Sequence, residues 1–346
     1  RGADIRTRTR ATEIRQENGI WQVTVQDADG ERSTIRARTL VNAGGPWVEN
    51  ILASGAGVNA KAKVRLVQGS HIVVPKLYDH DRAYIFQNAD GRIVFAIPYQ
   101  DDFTLIGTTD LDYDGDPAQV KISAEEIDYL CASVSEYLAK PVDPEDVVWT
   151  YSGVRPLYDD GADEAKAATR DYVFELDLPG GAPLLSIYGG KITTHRRLAE
   201  EAMEKLAPWL KGSKAPEGWT AKATLPGGDF DVSALDALVA ELQRDYPFLA
   251  PMHANRLAHA YGTRAQKMLG QAKTPADLGQ AFGGTLTERE VKYLISNEFA
   301  LTAEDIVWRR SKLGLRMSAA EIAALDDWIA THRQSVTPVR AAGARP

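Results

Sequence analysis

The chain has 346 residues, enough for two or three domains, with 44% hydrophobic and 25% charged residues, the balance of a globular protein. Its 40 lysines and arginines against 48 acidic residues give a formal charge of −8, which excludes a general nucleic-acid binder because phosphate binding needs summed positive charge. The 1 cysteine, Cys131, cannot make an internal disulfide, and no apolar run approaches the roughly 20 residues that span a bilayer.

Residues 3–27 read as two strands. In the first, Ile5, Thr7 and Thr9 alternate with arginines; the second, Ile20 to Val25, follows the Asn18-Gly19 turn. A turn at Asp27-Ala28-Asp29-Gly30 leads to an alternating stretch, Ser33 to Arg38, and then to a buried strand ending in glycines, Leu40-Val41-Asn42-Ala43-Gly44-Gly45-Pro46-Trp47. A helix to about Ala53 follows. Between 61 and 122 the chain is strand-rich, with short runs at Val64–Val67, His71–Val74, Ala83–Gln87, Ile93–Ile97 and Thr104–Ile106. Ser123 with Glu126 spells a capping box and predicts a helix over 124–138, stopped by Pro141, with Cys131 as a small core residue. Strands are expected again at Val147–Tyr151, Tyr172–Leu176 and Leu184–Tyr188, before Gly189-Gly190-Lys191 opens a helix to about Leu206. Residues 208–221 read as a linker, and the pattern after Pro226-Gly227-Gly228 is helical. Capping boxes at Thr287 with Glu290 and at Ser318 with Glu321 mark two of those helix starts. The tail from 336 to 346 reads as disordered.

Five stretches could carry chemistry. The strand ending in Ala43-Gly44-Gly45 lets a ligand approach the backbone, and the helix beyond presents free N–H groups; a bare strand-to-helix turn would look the same. Ser186-Ile187-Tyr188-Gly189-Gly190-Lys191-Ile192-Thr193-Thr194 repeats that design and adds a mobile cation, unless Thr193 or Thr194 merely caps the helix. Arg155, held extended by Pro156, offers a planar guanidinium for an oxyanion, or is a surface arginine at a strand end. His71, at the head of an apolar strand, is placed to move a proton or is a hydrogen-bonded structural histidine. Leu105-Ile106-Gly107-Thr108-Thr109-Asp110 says only turn. The histidines show no metal-ligand spacing. Gly55-Ala56-Gly57-Val58-Asn59-Ala60 spells a dinucleotide fingerprint but follows a helix instead of a strand, and is rejected.

Together, VNAGGPWVENIL (Val41–Leu52), VRLVQGSHIVVP (Val64–Pro75), IGTTD (Ile106–Asp110), WTYSGVRPLYDD (Trp149–Asp160), TRDY (Thr169–Tyr172), YGGKITTHRRLAEEA (Tyr188–Ala202) and ALTAEDIVWRRSKLGL (Ala300–Leu315) resemble, in order, the FAD-dependent glycerol-3-phosphate dehydrogenases. The resemblance implies an α/β plus all-α chain in three parts. These are an incomplete FAD-binding domain of glutathione-reductase type (1–60 and 185–207), a mixed-sheet substrate domain (61–184) and, past a linker at 208–224, a helical domain (225–335). It implies FAD as cofactor and no metal, with glycerol 3-phosphate oxidised to dihydroxyacetone phosphate by hydride transfer to flavin N5 and the electrons passed to a membrane quinone. By matching motifs, Arg155 holds the reacting oxygen, His71 lies beside the substrate and Lys191 is a phosphate-binding cation. Ala43, Gly44, Gly190, Lys191, Ile192 and Thr193 fall on FAD contacts. A cytoplasmic protein touching the inner face of the cell membrane, and a homodimer, complete the expectation.

The family's opening strand, its glycine-rich loop for the FAD pyrophosphate and an Arg-Tyr pair for the substrate phosphate do not precede Arg1. The chain is therefore expected to be the larger, C-terminal part of such an enzyme and inactive by itself. Two alternatives remain at this stage: a glycerol-phosphate oxidase that uses oxygen, and a non-catalytic remnant serving as an interaction module. Arg309-Arg310-Ser311-Lys312 could dock to a membrane locally or be a solvated helix face.

Overall fold

The computed structural model of the chain describes residues 2–53, 63–159, 171–210 and 218–332. The rejected turn at 55–60, the start of the 169–172 motif, residues 211–217 of the expected linker and the tail from 336 lie outside the described residues. Two compact units divide the chain: 8–221, and 222–346 with 1–7.

In the first unit, β1 (Arg10–Glu17), β2 (Ile20–Gln26) and β3 (Arg32–Ala37) form an antiparallel meander, turned at Asn18-Gly19 as expected. The first strand starts at Arg10, later than the sequence pattern indicates. Ile5, 61% exposed, has no apolar face to bury, so alternation alone did not make a strand. Trp21, Val23 and Val25 point inward from β2, and the Trp21 Nε1–H donates to the Pro183 carbonyl at 2.9 Å. β4 (Leu40–Asn42) runs into a 3₁₀ turn at Gly45–Trp47 and α1 (Val48–Ala53).

A six-stranded sheet follows. It comprises β5 (Val64–Pro75), β6 (Tyr84–Gln87), β7 (Ile93–Tyr99), β8 (Phe103–Gly107), the short β9 (Leu111–Asp112) and, beyond α2 (Ala124–Ser135), β10 (Trp149–Tyr158). Their order is β10-β5-β8-β7-β6, with β9 also beside β5. The two runs expected at 64–67 and 71–74 are one strand, because Gly69 keeps its place in the ladder opposite Gly153. Every pairing in this sheet is antiparallel, whereas a mixed sheet was expected for the substrate domain. The mixed pairing falls on a three-stranded sheet of β11 (Tyr172–Asp177), β12 (Leu184–Gly189) and β4, in which β12 is antiparallel to β11 and parallel to β4. β11, expected with the substrate domain, thus pairs with the strands expected to hold FAD.

α2 packs Leu130, Cys131 and Val134 against Ile72, Val94 and Ile106 of the large sheet. Burial pushes the Cys131 thiol up to about 11, a core residue and no nucleophile. The helix stops at Ser135, short of 138. The Ser135 hydroxyl donates to the Cys131 carbonyl at 2.7 Å and accepts from Val142 N–H at 2.8 Å, diverting the backbone. α3 (His195–Leu206) closes the unit.

The second unit holds α4 (Leu235–Asp245), α5 (Pro251–Tyr261), α6 (Arg264–Leu269), α7 (Glu288–Asn297), a π-helical turn at Asp305–Arg310 and α8 (Ala319–His332) around one apolar core. A two-stranded hairpin, β13 (Ala281–Gly283) and β14 (Leu286–Thr287), interrupts the helical pattern before α7. Ser318 and Glu321 form the expected capping box. Thr287 and Glu290 do not, and the reason is electrostatic. Glu290 is 1% exposed, and its carboxylate accepts from Arg256 Nη1 and Nη2 at 2.7 Å each and from the Tyr261 hydroxyl at 2.6 Å. A buried charge goes to its cation before it goes to a cap. The basic run is also engaged: Arg309 pairs with Glu304 and Asp305, Arg310 donates to the Glu298 carbonyl, and Lys312 to the Trp308 carbonyl. Among the described residues no helix is long and apolar enough to cross a membrane.

Candidate active site

The chemistry-bearing side chains of the first unit meet where β10, β5 and β8 lie side by side. His71 on β5 sits opposite Tyr151 of β10 and Gly107 of β8. Its imidazole stacks on the Tyr151 ring at 4.8 Å, only 5° from parallel. A Cβ on Gly107 would lie 2.3 Å from His71 Cδ2, so the ring occupies space that the glycine leaves open. Arg155 is seated in the same way. A Cβ on Gly69 would lie 2.3 Å from its Nη2, so the guanidinium lies flat against the β5 backbone.

The Arg155 fork is held on several sides. Nη1 donates to Asp110 Oδ1 at 2.7 Å and, more weakly, to the Thr109 and Gln68 carbonyls at 3.4 and 3.5 Å; Nη2 donates to Thr108 Oγ1 at 2.9 Å. Arg155 and Asp110 are each 29% exposed, leaving part of the guanidinium open to a ligand. Burial, and then the charge of Arg155, pushes the His71 imidazole down to about 4, so it is neutral at physiological pH. His71 Nδ1 is buried and has no hydrogen-bond partner among the described residues. That separates it from a satisfied structural histidine, since an unmade buried bond costs about 1–3 kcal/mol.

The second group lies at the carboxyl ends of the parallel pair β4 and β12, where α/β folds bind ligands. Asn42 braces the first turn: its Nδ2 donates to the Val48 carbonyl at 2.9 Å and its Oδ1 accepts from Gly44 N–H at 3.3 Å. At the end of β12, Gly189 and Gly190 have φ of +68° and +91°, and a Cβ on Gly189 would lie 2.9 Å from the Asp171 carbonyl oxygen. Only glycine can make this turn. Lys191, Ile192 and Thr193 follow as exposed residues, with Ile192 84% exposed. Neither threonine caps α3 through its side chain; the Thr194 hydroxyl turns back to the Lys191 carbonyl at 2.8 Å.

The two groups adjoin along β10. Pro156, next to Arg155, has its Cγ 3.9 Å from where a Cβ on Gly45 would lie, and Tyr158 N is 3.3 Å from the same point on Gly189. Arg155, His71 and the turns at Gly44-Gly45 and Gly189-Gly190 therefore belong to one region of the sheet system. Gly107, Thr108 and Asp110 lie in a stretch that read only as a turn, and Gly69 and Tyr151 in motifs where they were given no role, yet all five seat Arg155 and His71. Only the strand register reveals them.

Two family descriptions match this chain: "FAD dependent oxidoreductase" over residues 1–196 and "C-terminal domain of alpha-glycerophosphate oxidase" over 219–335. The chain belongs to the FAD-dependent oxidoreductase family. It is 45% identical over 336 residues to the aerobic glycerol-3-phosphate dehydrogenase of Escherichia coli (strain K12), covering 96% of this chain and 66% of that protein. It is 43% identical over 332 residues to the D-erythritol 1-phosphate dehydrogenase of Brucella abortus (strain 2308), covering 95% of this chain and 65% of that one. The chain thus spans just under two thirds of the length of these relatives. Its fold matches the crystal structure of a glycerol-3-phosphate dehydrogenase from Bacillus halodurans complexed with FAD, with a TM-score of 0.71 at 23% identity over 96% of this chain and 70% of the other. The FAD-dependent oxidoreductase fold, with mixed strand pairing and a C-terminal helical domain, is that of this chain.

Proposed function

We propose that this chain forms the substrate-oxidising part of an enzyme that converts glycerol 3-phosphate to dihydroxyacetone phosphate. The observation that carries the reading is the juxtaposition of Arg155 and a neutral, under-bonded His71 beside paired glycine turns at the ends of parallel strands. Those turns fit FAD: they lie at the carboxyl ends of the parallel strands β4 and β12 and carry no side chain at Gly44 and Gly190. Ala43, Gly44, Gly190, Lys191, Ile192 and Thr193 would hold the cofactor, within a domain of glutathione-reductase type. Bound FAD supplies the acceptor for a hydride at its N5.

The chain's own residues do the remaining work. Arg155 holds the C2 oxygen of the substrate through the open part of its fork, where negative charge grows as the hydroxyl proton leaves. His71 takes that proton. Its low value in the free protein is set partly by Arg155, so an oxygen anion beside the guanidinium offsets that influence and makes the imidazole a better base. Lys191, exposed at the turn after Gly189-Gly190, would bind the phosphate as a point charge.

The electrons go on to a membrane quinone, and the protein works in the cytoplasm at the inner membrane face, as a homodimer. Oxygen as acceptor is the second reading, favoured by the match of 219–335 to an oxidase's C-terminal domain. Peroxide release measured against reduction of a quinone dye separates the two. Glycerol 3-phosphate and D-erythritol 1-phosphate compared by kcat/KM tests the substrate; a tenfold preference for the erythritol phosphate would overturn this assignment.

A further inference from the structure

Glu126 caps α2, but a cap does not account for its bonds. It is 5% exposed. A capping box needs only the reciprocal pair seen here, Glu126 N–H donating to Ser123 Oγ at 3.2 Å and Ser123 N–H donating to Glu126 Oε2 at 2.9 Å. The carboxylate accepts two more. Gln68 Nε2 donates to Oε2 at 2.8 Å, and the Thr109 hydroxyl donates to Oε1 at 2.6 Å. Thr109 Oγ1 in turn accepts from Ser70 N–H at 3.0 Å, tying the segment after β8 to β5.

Gln68 and Thr109 are also the residues whose carbonyls receive Arg155 Nη1, and the two side chains that hold the guanidinium most closely, Thr108 and Asp110, flank Thr109. Both sides of the Arg155 seat therefore hang from one buried carboxylate on a helix of another layer. All three groups bonded to it are donors, so only an acceptor without hydrogens satisfies them. An amide at this place would point its NH2 at a donor, or would force the Thr109 hydroxyl to turn its proton away and give up its bond to the side chain.

We propose that Glu126 is a positioning residue for the oxidation, fixing the direction of Arg155 through Gln68 and Thr109. The proposal rests on the functional reading of Arg155 given above.

The test uses the chain joined to an upstream strand and Gly-x-Gly-x-x-Gly loop so that it holds flavin, and four variants of it. Glu126→Gln and Thr109→Val should lower kcat/KM for glycerol 3-phosphate at least tenfold, mainly through KM, with flavin content unchanged. Thr109→Ser, which keeps the hydroxyl, should stay within threefold of wild type. Ser123→Ala removes the cap on Glu126 N–H alone; it should lower the unfolding temperature but leave kcat/KM within twofold. Hydrogen exchange followed by mass spectrometry gives a readout independent of turnover: amides of 107–112 should exchange at least fivefold faster in Glu126→Gln and at the wild-type rate in Ser123→Ala. Wild-type protein without glycerol 3-phosphate activity would sink the functional reading, and the exchange data would still judge the tether. Wild-type kinetics and exchange in Glu126→Gln, or equal losses in Glu126→Gln and Ser123→Ala, would overturn the proposal. If Glu126→Gln does not fold, the contrast between Thr109→Val and Thr109→Ser decides.

Discussion

Gly69→Ala isolates the seating of Arg155 from the stability of the fold. The new Cβ would lie 2.3, 2.5 and 2.6 Å from Nη2, Nη1 and Cζ of Arg155, where ordinary contact begins at 3.4 Å. The guanidinium must retreat by 3.4 minus 2.3, about 1.1 Å. A displacement of that size along its bonds to Asp110 and Thr108, now 2.7 and 2.9 Å, would carry both beyond hydrogen-bonding range. The fold has little to lose. The displaced atoms are the far end of a flexible side chain, and the ion pair is 29% exposed on both sides, worth at most about 1 kcal/mol. Fewer unfolded conformations return about 0.4–1 kcal/mol of that. Function has more to lose, since a misplacement of about 1 Å at a reacting group costs on the order of a hundredfold. Gly69→Ala should therefore lower kcat/KM for glycerol 3-phosphate by about 10–100-fold with the melting temperature nearly unchanged. Gly153→Ala is the matched control: it faces Gly69 in the ladder, and its Cβ would meet nothing within 4 Å. Steady-state kinetics and a thermal melt on both variants check this, and activity within twofold of wild type in Gly69→Ala would refute the reasoning.

Three further outcomes follow from the same structure. His71 and His253 are each lowered from 6.5 to about 4, by burial first and then by Arg155 and Arg256 respectively. The unfolded chain therefore takes up protons below about pH 6.5 that the folded protein refuses, and stability should be full above that value and fall as pH drops from 6.5 toward 4; His71→Gln with His253→Gln should flatten the slope in thermal melts across that window, and an unaltered slope would count against it. Glu290→Leu strands Arg256 in the core of the C-terminal unit and should cost about 3–5 kcal/mol by calorimetry, with Arg256→Met added to it recovering most of the loss; a double variant as unstable as the single one would show that packing, not charge, dominates. The 346-residue chain by itself carries no Gly-x-Gly-x-x-Gly turn after a strand, and should purify with far less than one FAD per chain. Stoichiometric flavin in its absorbance spectrum would show that the turns at Gly44 and Gly190 suffice.

Local rules carried the sequence reading furthest where the chemistry is local. The Asn18-Gly19 turn, the Ser123–Glu126 box and the glycine pair before Lys191 are each set by a few neighbouring residues, and each lies where expected. The reading went astray where a distant partner decides. Glu290 looks like a helix cap until Arg256, 34 residues away, claims its carboxylate. Ile5, Thr7 and Thr9 alternate like a strand, but the strand begins only at Arg10. Arg155 and His71 were visible as motif residues, but their meeting depends on the register of β5 between β10 and β8. The roles of Gly69, Gly107 and Glu126 follow from that register and not from any spacing along the chain.

The central claim, that Arg155 and His71 together act on a phosphorylated secondary alcohol beside FAD, is met most directly by an anaerobic single-turnover measurement. The chain, joined to an upstream strand and Gly-x-Gly-x-x-Gly loop so that it holds flavin, is mixed with glycerol 3-phosphate in the absence of any acceptor, and the visible flavin band is followed with the sequence otherwise wild type, with Arg155→Met and with His71→Gln. The account predicts rapid, complete bleaching in wild type with one dihydroxyacetone phosphate formed per flavin, and bleaching slowed by at least a hundredfold in each variant (about 3 kcal/mol of transition-state stabilisation). Wild type that stays yellow, or an Arg155→Met variant that bleaches at the wild-type rate, would contradict it.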